Sequence, residues 1–185
     1  MSDRPGLVSM ECVRCGSPVP AEPDEVAWIC GNCGQGLLLD EQAGLRPITV
    51  HFGLAAADSD LRWAPFWVAL GRVRVTRRES FGRDSAPDPR WDQPVRFVLP
   101  AFATSVERAV AWGRHFLLAP PDLHELRSGE AVPLKGVTVL PEEIDPLARF
   151  VVLTIEAERK DKLEAIDFSL DLEPPQLWCL PARKS

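Results

Sequence analysis

The sequence predicts an α+β fold: a small N-terminal four-cysteine zinc ribbon followed by a larger domain of antiparallel strands and two main helices. Three observations predict it. Two CxxC pairs, Cys12-Val13-Arg14-Cys15 and Cys30-Gly31-Asn32-Cys33, stand fourteen residues apart. Two later stretches, 106–117 and 147–155, repeat apolar residues at helical spacing. Two others, 72–76 and 166–172, alternate apolar and polar residues at the period of a half-buried strand. Strands, helix, helix, strands is the order of an α+β domain, and the boundary is expected at residues 1–45 and 46–185.

The ribbon comes first. Each CxxC sets two thiolates on one tight turn, and two such turns close on a single ion. Gly16, Gly31 and Gly34 sit where that backbone turns. The alternatives are two disulfides, a thioredoxin-like redox pair, or iron in place of zinc. A reducing cytoplasm disfavours disulfides, a redox pair needs one CxxC at a strand-to-helix junction, and iron fits the same four sulfurs. One structural zinc is therefore expected on Cys12, Cys15, Cys30 and Cys33. A closed all-thiolate site leaves no position for substrate. Residues 25–30 and 36–40 read as the strands entering and leaving the second knuckle, with Trp28 packed over the knuckles.

The second domain opens on Leu61-Arg62-Trp63-Ala64-Pro65-Phe66-Trp67, which leads into a strand with Val73 and Val75 inward and Arg72, Arg74 and Thr76 outward. Residues 81–89 form a polar loop, and Val95–Pro100 is an antiparallel partner. The first helix has Thr104 as N-cap and Glu107 at the third position of a capping box. Its stripe is Val106, Ala109, Val110, Gly113, Phe116 and Leu117. A short strand is expected near Val137–Val139. The second helix begins near Pro141 and turns Leu147, Phe150, Val151, Thr154 and Ile155 inward, while Glu156–Lys160 run into solvent. The strand at 166–172 and that at 177–181 are expected to form a hairpin through Glu173-Pro174-Pro175.

The double CxxC, the Pro65-Phe66-Trp67 strand, the arginine-rich strand and the late Leu177-to-Pro181 strand together resemble a largely uncharacterised group of bacterial zinc-ribbon proteins. Some of that group are thought to accompany membrane-associated scaffolds of the flotillin-like or phage-shock type. The resemblance implies an adaptor or assembly factor, not a reaction.

Composition narrows the function classes. With 185 residues and 45% hydrophobic content the chain can bury one moderate core plus a small module. No stretch approaches the ~18–20 apolar residues that span a bilayer, so the expectation is a soluble protein, peripheral to a membrane at most. The start, Met-Ser-Asp-Arg-Pro-Gly, lacks the pattern of a secretory signal, and a cytoplasmic location is expected. Net charge is −6. Residues 1–45 carry two arginines against seven acidic side chains, so the ribbon lacks the basic face that grips phosphate. Residues 72–96 balance to +3 and residues 141–173 to −6. That polarity suggests either internal pairing or a docking surface for an acidic partner, nucleic acid or anionic lipid. Aromatics and arginines anchor interfaces, so Trp63, Phe66, Trp91, Arg72, Arg74, Arg77 and Arg78 are the candidate partner-binding residues. Nucleic acid would use the Arg72–Arg96 region. His51, His115 and His124 stand in unrelated contexts, Cys179 reads as a buried inert thiol, and no catalytic motif is present, so no enzyme is expected.

Overall fold

One twenty-residue strand organises most of the molecule. The computed structural model describes residues 9–40, 43–53, 61–81, 86–123 and 136–183. Strands β1 (Ala27–Ile29), β2 (Gly36–Asp40) and β3 (Gly44–Ile48) form an antiparallel sheet in that order. A second, five-stranded sheet holds β4 (Val50–Phe52), the long β5 (Leu61–Ser80), β6 (Val95–Pro100), β7 (Leu163–Leu172) and β8 (Gln176–Arg183). Helices α1 (Val106–Leu118) and α2 (Ile144–Ala157) complete it. The α+β class is as the sequence predicts.

The edges of β5 carry the topology. On one edge β6 pairs antiparallel, from Phe66 opposite Pro100 to Gly71 opposite Val95. On the other edge β7 and β8 lie end to end, both antiparallel to β5: Ser80 faces Leu163, Gly71 faces Leu172, Val68 faces Gln176 and Leu61 faces Arg183. The expected hairpin is therefore absent. Glu173-Pro174-Pro175 does not reverse the chain. It is an irregular step at which three residues span the two between Val68 and Gly71, and the Glu173 amide still donates to the Leu70 carbonyl at 2.8 Å. Proline has no amide to offer a ladder, which explains the interruption, but an interruption is not a turn. Short β4 closes the far side, parallel to β8.

Alternation along β5 divides two packed faces. Trp67, Ala69 and Val73 join Phe97 and Leu99 of β6 against Ile144, Ala148, Val151, Val152 and Ile155 of α2. Phe66, Ala64 and Val68 face the other way, with Val98, Trp178 and Leu180. Helix α2 is rotated from the expected stripe: Phe150 is 50% exposed, while Ala148 and Val152 are fully buried. The small and β-branched side chains fit the close helix–sheet approach that a phenylalanine would hold apart. Helix α1 straddles the β6 edge. At Gly113 an added Cβ would meet Leu99 and Val151 at 2.7 Å, and on the other side Phe116 packs edge-on against Phe66. Its N-cap is Ser105, whose hydroxyl accepts from the Arg108 amide at 3.3 Å, one residue later than the expected Thr104. The first helical residue, Val106, is 51% exposed and contributes little to the core.

The ribbon sheet leans on this core. Ala27 and Leu38 are buried in the same cluster as Trp67 and Val137. The Val26 amide donates to the Val137 carbonyl at 2.7 Å, and Ala27 bridges Val137. The strand expected near Val137–Val139 is reduced to that bridge. Next to it, the Trp67 indole N–H donates to the Val139 carbonyl at 2.7 Å. Strand β3 crosses the expected boundary at residue 45, pairing from Asp40–Gly44 to Gly36–Ile48.

Candidate metal centre

The two knuckles are built alike. In each, the glycine that follows the second cysteine takes a positive φ, 70° at Gly16 and 71° at Gly34, a conformation that side chains disfavour. That turn lets the glycine amide donate to the carbonyl of the first cysteine: Gly16 to Cys12 at 2.8 Å and Gly34 to Cys30 at 2.9 Å. The first cysteine's own amide donates five residues on, Cys12 to Ser17 at 2.8 Å and Cys30 to Gln35 at 2.9 Å. Gly31 is not in the positive-φ region. The bridge between Glu11 and Pro18 closes the arms of the first knuckle, while β1 and β2 form those of the second.

The knuckles bring their sulfurs together. All four Sγ atoms lie within 4.8 Å of one another, with Cys12–Cys33 and Cys15–Cys30 each at 3.6 Å. A disulfide needs about 2.05 Å. A tetrahedron of Zn–S bonds of about 2.3 Å has edges of about 3.8 Å, so the donor set and its spacing fit one tetrahedral metal ion. Both of these sulfur pairs join one cysteine from each knuckle, so an ion here ties the two turns together.

The electrostatics point the same way. Cys15 is lowered to about 5, first by hydrogen bonding with the Ser17 side chain and then with the Ser17 backbone, and Cys12 is also lowered. Cys33 is raised to about 12: a backbone hydrogen bond at Gln35 lowers it, but burial and the other three sulfurs outweigh that. The cluster accepts some negative charge and resists the rest, and a dication relieves that repulsion. Beneath the sulfurs, Cys12, Cys30, Val19, Trp28, Leu37 and Leu45 form a small core of their own. The Trp28 indole N–H donates to Glu25 at 2.9 Å.

The candidate partner-binding residues separate. Trp63, Phe66 and Trp91 are buried, at 9%, 2% and 6% exposure. Arg72 and Arg74 are exposed on the outward face of β5. Arg77 is exposed but engaged by Glu79 and Asp167. Arg78 is interior, and a β-bulge is the cause. Val75 faces Phe168 but Arg77 faces Asp167, so Thr76 is an extra residue, and the side chains beyond it change faces. Val73 points inward before the bulge and Arg78 after it. The Arg78 guanidinium then meets Glu156 at 2.7 Å and Asp161.

Glu156 is the residue whose place the sequence misrepresents most. Expected in solvent, it is 0% exposed. One carboxylate oxygen accepts from Arg78; the other accepts from the Trp91 indole at 2.7 Å and from the Asp88 amide at 2.8 Å. Arg159 lies 3.7 Å from Glu156 and 3.6 Å from Asp161, so two cations balance two anions. Asp161 is held well below the usual carboxylate range, chiefly by its hydrogen bond from Arg78 and against the effect of burial. The sequence signal for this was a glutamate four positions after Val152 on the buried face of a helix, opposite an arginine past a bulge that no periodicity shows.

The remaining candidates stand apart. His51 stacks on Trp178 with ring centroids 4.7 Å apart, His115 lies exposed on α1, and His124 falls outside the described residues. Cys179 is fully buried, and burial raises its thiol to about 12, so it is inert as a nucleophile. Among the described residues the four cysteines are the one group of three or more potential metal ligands. A cleft of about 530 Å³ lies where β3 meets the bend before β8, walled by Pro47, Pro141, Pro174 and Pro175 over Trp67. No helix among the described residues is long and apolar enough to cross a membrane. Comparison with protein-family models, curated proteins and solved structures finds no match to this chain.

Proposed function

We propose that the chain is a non-catalytic zinc-ribbon adaptor or assembly subunit that works through contacts with a protein partner. One observation carries the reading: four sulfurs within 4.8 Å supply a complete tetrahedral set, which leaves no corner for a substrate. Zinc on Cys12, Cys15, Cys30 and Cys33 then has a structural task. It rigidifies a sheet whose other face, through Ala27 and Leu38, is packed into the main core. The motif resemblance to bacterial zinc-ribbon proteins points to the same class of role, including association with a membrane-bound complex. The test is the native assembly. A tagged chain recovered under mild lysis is expected in a complex well above the 20.5 kDa monomer, with about one zinc per chain. A clean monomer without a stable partner would sink the reading.

A second reading has one observation in its favour. Arg72 and Arg74 on β5 and Arg96 on β6 are exposed together, with Arg96 opposite the exposed Leu70. That face suits a phosphate backbone better than the acidic ribbon does, although Asp171 stands beside Arg72. Salt-dependent retention on DNA or heparin tests it, and no retention at low salt ends it.

A further inference from the structure

The outward face of α1 was not part of any expected site, and its composition is unusual for a solvated helix. Arg108, Ala111, Trp112 and His115 recur at i, i+3, i+4 and i+7, so they form one stripe. All four are exposed, Trp112 at 37%. The Trp112 indole is already held in place. Its ring centroid lies 5.5 Å from Phe116 and 5.8 Å from Phe66, which itself sits in the core. An exposed tryptophan held this way loses little rotamer freedom when something packs on it.

Trp112 is also a ridge between two hollows. One is open, about 370 Å³, and lined by the four stripe residues. The other is about 150 Å³, and Phe66, Phe116, Leu180 and Pro181 line most of it. Two adjacent hollows divided by an aromatic ridge offer seats for apolar side chains on one face of an amphipathic helix.

Charge identifies the occupant. Arg114 is paired with Glu158. The Glu107 carboxylate is turned onto the helix start, where backbone and Ser105 hydrogen bonds lower its pKa. Arg108 has no ion-pair partner among the described residues, so the stripe presents a guanidinium and an imidazole, seven positions apart, with no carboxylate among its own four residues. A second copy of this chain fits poorly. Laid antiparallel over the same face and centred between Ala111 and Trp112, it would set Arg108 opposite His115 and offer the guanidinium no carboxylate from the stripe. A nucleic acid also fits poorly, because none of the described residues that line the smaller hollow is a cation that would meet a phosphate.

We propose that the outward face of α1, centred on Trp112 and flanked by Arg108 and His115, docks an acidic amphipathic helical segment of a partner protein. This names the docking surface of the adaptor and rests on that reading.

The experiment has two arms, both on the full-length zinc-loaded chain. In the first, three labelled probes are titrated by fluorescence anisotropy: a helical peptide with leucines at i and i+4 and glutamates beside them, its lysine-for-glutamate counterpart, and a twenty-nucleotide oligothymidine. The acidic peptide is expected to bind in preference. Trp112→Ala should weaken it roughly tenfold or more, as for a hot-spot tryptophan. Arg108→Glu, a surface change with little risk to folding, should reverse the charge preference. Arg72→Glu, on the sheet, should change nothing. Equal binding of both peptides, no binding of either, preference for the oligonucleotide, or indifference to Trp112→Ala and Arg108→Glu overturns the proposal. In the second arm the same variants are recovered under mild lysis. Loss of the native complex in Trp112→Ala and Arg108→Glu supports the site. A complex that survives both variants refutes this surface while leaving the adaptor reading standing, whereas a monomeric wild-type chain refutes the adaptor reading itself.

Discussion

The four-sulfur site and the Arg78–Glu156 cluster each gather four chemically demanding side chains, and they are built on opposite plans. The sulfurs come from residues 12–33, and the tight turn of each knuckle is closed by hydrogen bonds that span four or five residues. The ion pairs come from β5, the end of α2 and the turn after it, joined by Trp91 and Asp88 from the 3-10 turn near residue 90. A local cluster of thiolates repels itself, so it needs an outside cation to form. The nonlocal cluster carries its own counterions and needs the fold to deliver them. The first should therefore respond to chelators and hardly to the rest of the sequence. The second should respond to any change that leaves one charge behind.

The largest effect should come from removing the ion. Metal binding in comparable small zinc modules is worth roughly 10–16 kcal/mol, so Cys30→Ser or chelation should unfold residues 11–40. The sheet domain should remain folded but lose denaturant resistance, because Ala27 and Leu38 leave the cluster that holds Trp67. Metal analysis with limited proteolysis reads the first outcome, and a urea titration followed by Trp fluorescence reads the second. An unchanged midpoint for the sheet domain would show that the ribbon is merely appended.

Breaking the other cluster from one side should be the next largest. Glu156→Gln leaves the Arg78 guanidinium buried with half its charge partners gone, a change that costs about 3–5 kcal/mol in comparable pairs. The double variant Arg78→Met, Glu156→Leu should recover part of that, since no guanidinium is left beside a missing carboxylate, but only part, because the Trp91 indole and the Asp88 amide lose their acceptor and Asp161 loses Arg78. Urea denaturation of Arg78→Met, Glu156→Leu and the double variant closes the cycle. Additive losses would mean that the two side chains do not act as a pair.

Acid should separate the clusters further. Asp161 has a folded pKa depressed below its unfolded value near 4, so its contribution is fully present above about pH 4 and is lost as the pH falls toward the depressed value. Wild-type urea midpoints should therefore decline below about pH 4 more steeply than those of Asp161→Asn. Parallel declines would remove Asp161 from the account. The smallest effect concerns the helix start beside the proposed docking face. Ser105→Ala should cost about 1 kcal/mol and Thr104→Ala close to nothing, because Ser105 accepts the Arg108 amide. The reverse order would restore Thr104 as the cap.

Spacing alone was enough to single out the four cysteines that the fold brings within 4.8 Å of one another. Cys12, Cys15, Cys30 and Cys33, the glycines after each pair and the two arms of the second knuckle are local features, and local steric rules decide them wherever the rest of the chain goes. The α+β class and most strand and helix positions were legible for the same reason, since Val73, Val75 and residues 166–172 alternate whether or not a partner is known. The tertiary structure decided everything that depends on which surface meets which. Pro174-Pro175 stops a strand equally well in a hairpin and in a straight run; only the shared edge of β5 selects the run. The rotation that buries Ala148 and Val152 and exposes Phe150 depends on how closely α2 approaches the sheet. Arg78 and Glu156 look solvated in sequence because charged side chains usually are. One unpaired residue at Thr76 turns Arg78 inward, and its charge is then tolerable only because Glu156 and Asp161 arrive from 78 and 83 residues away.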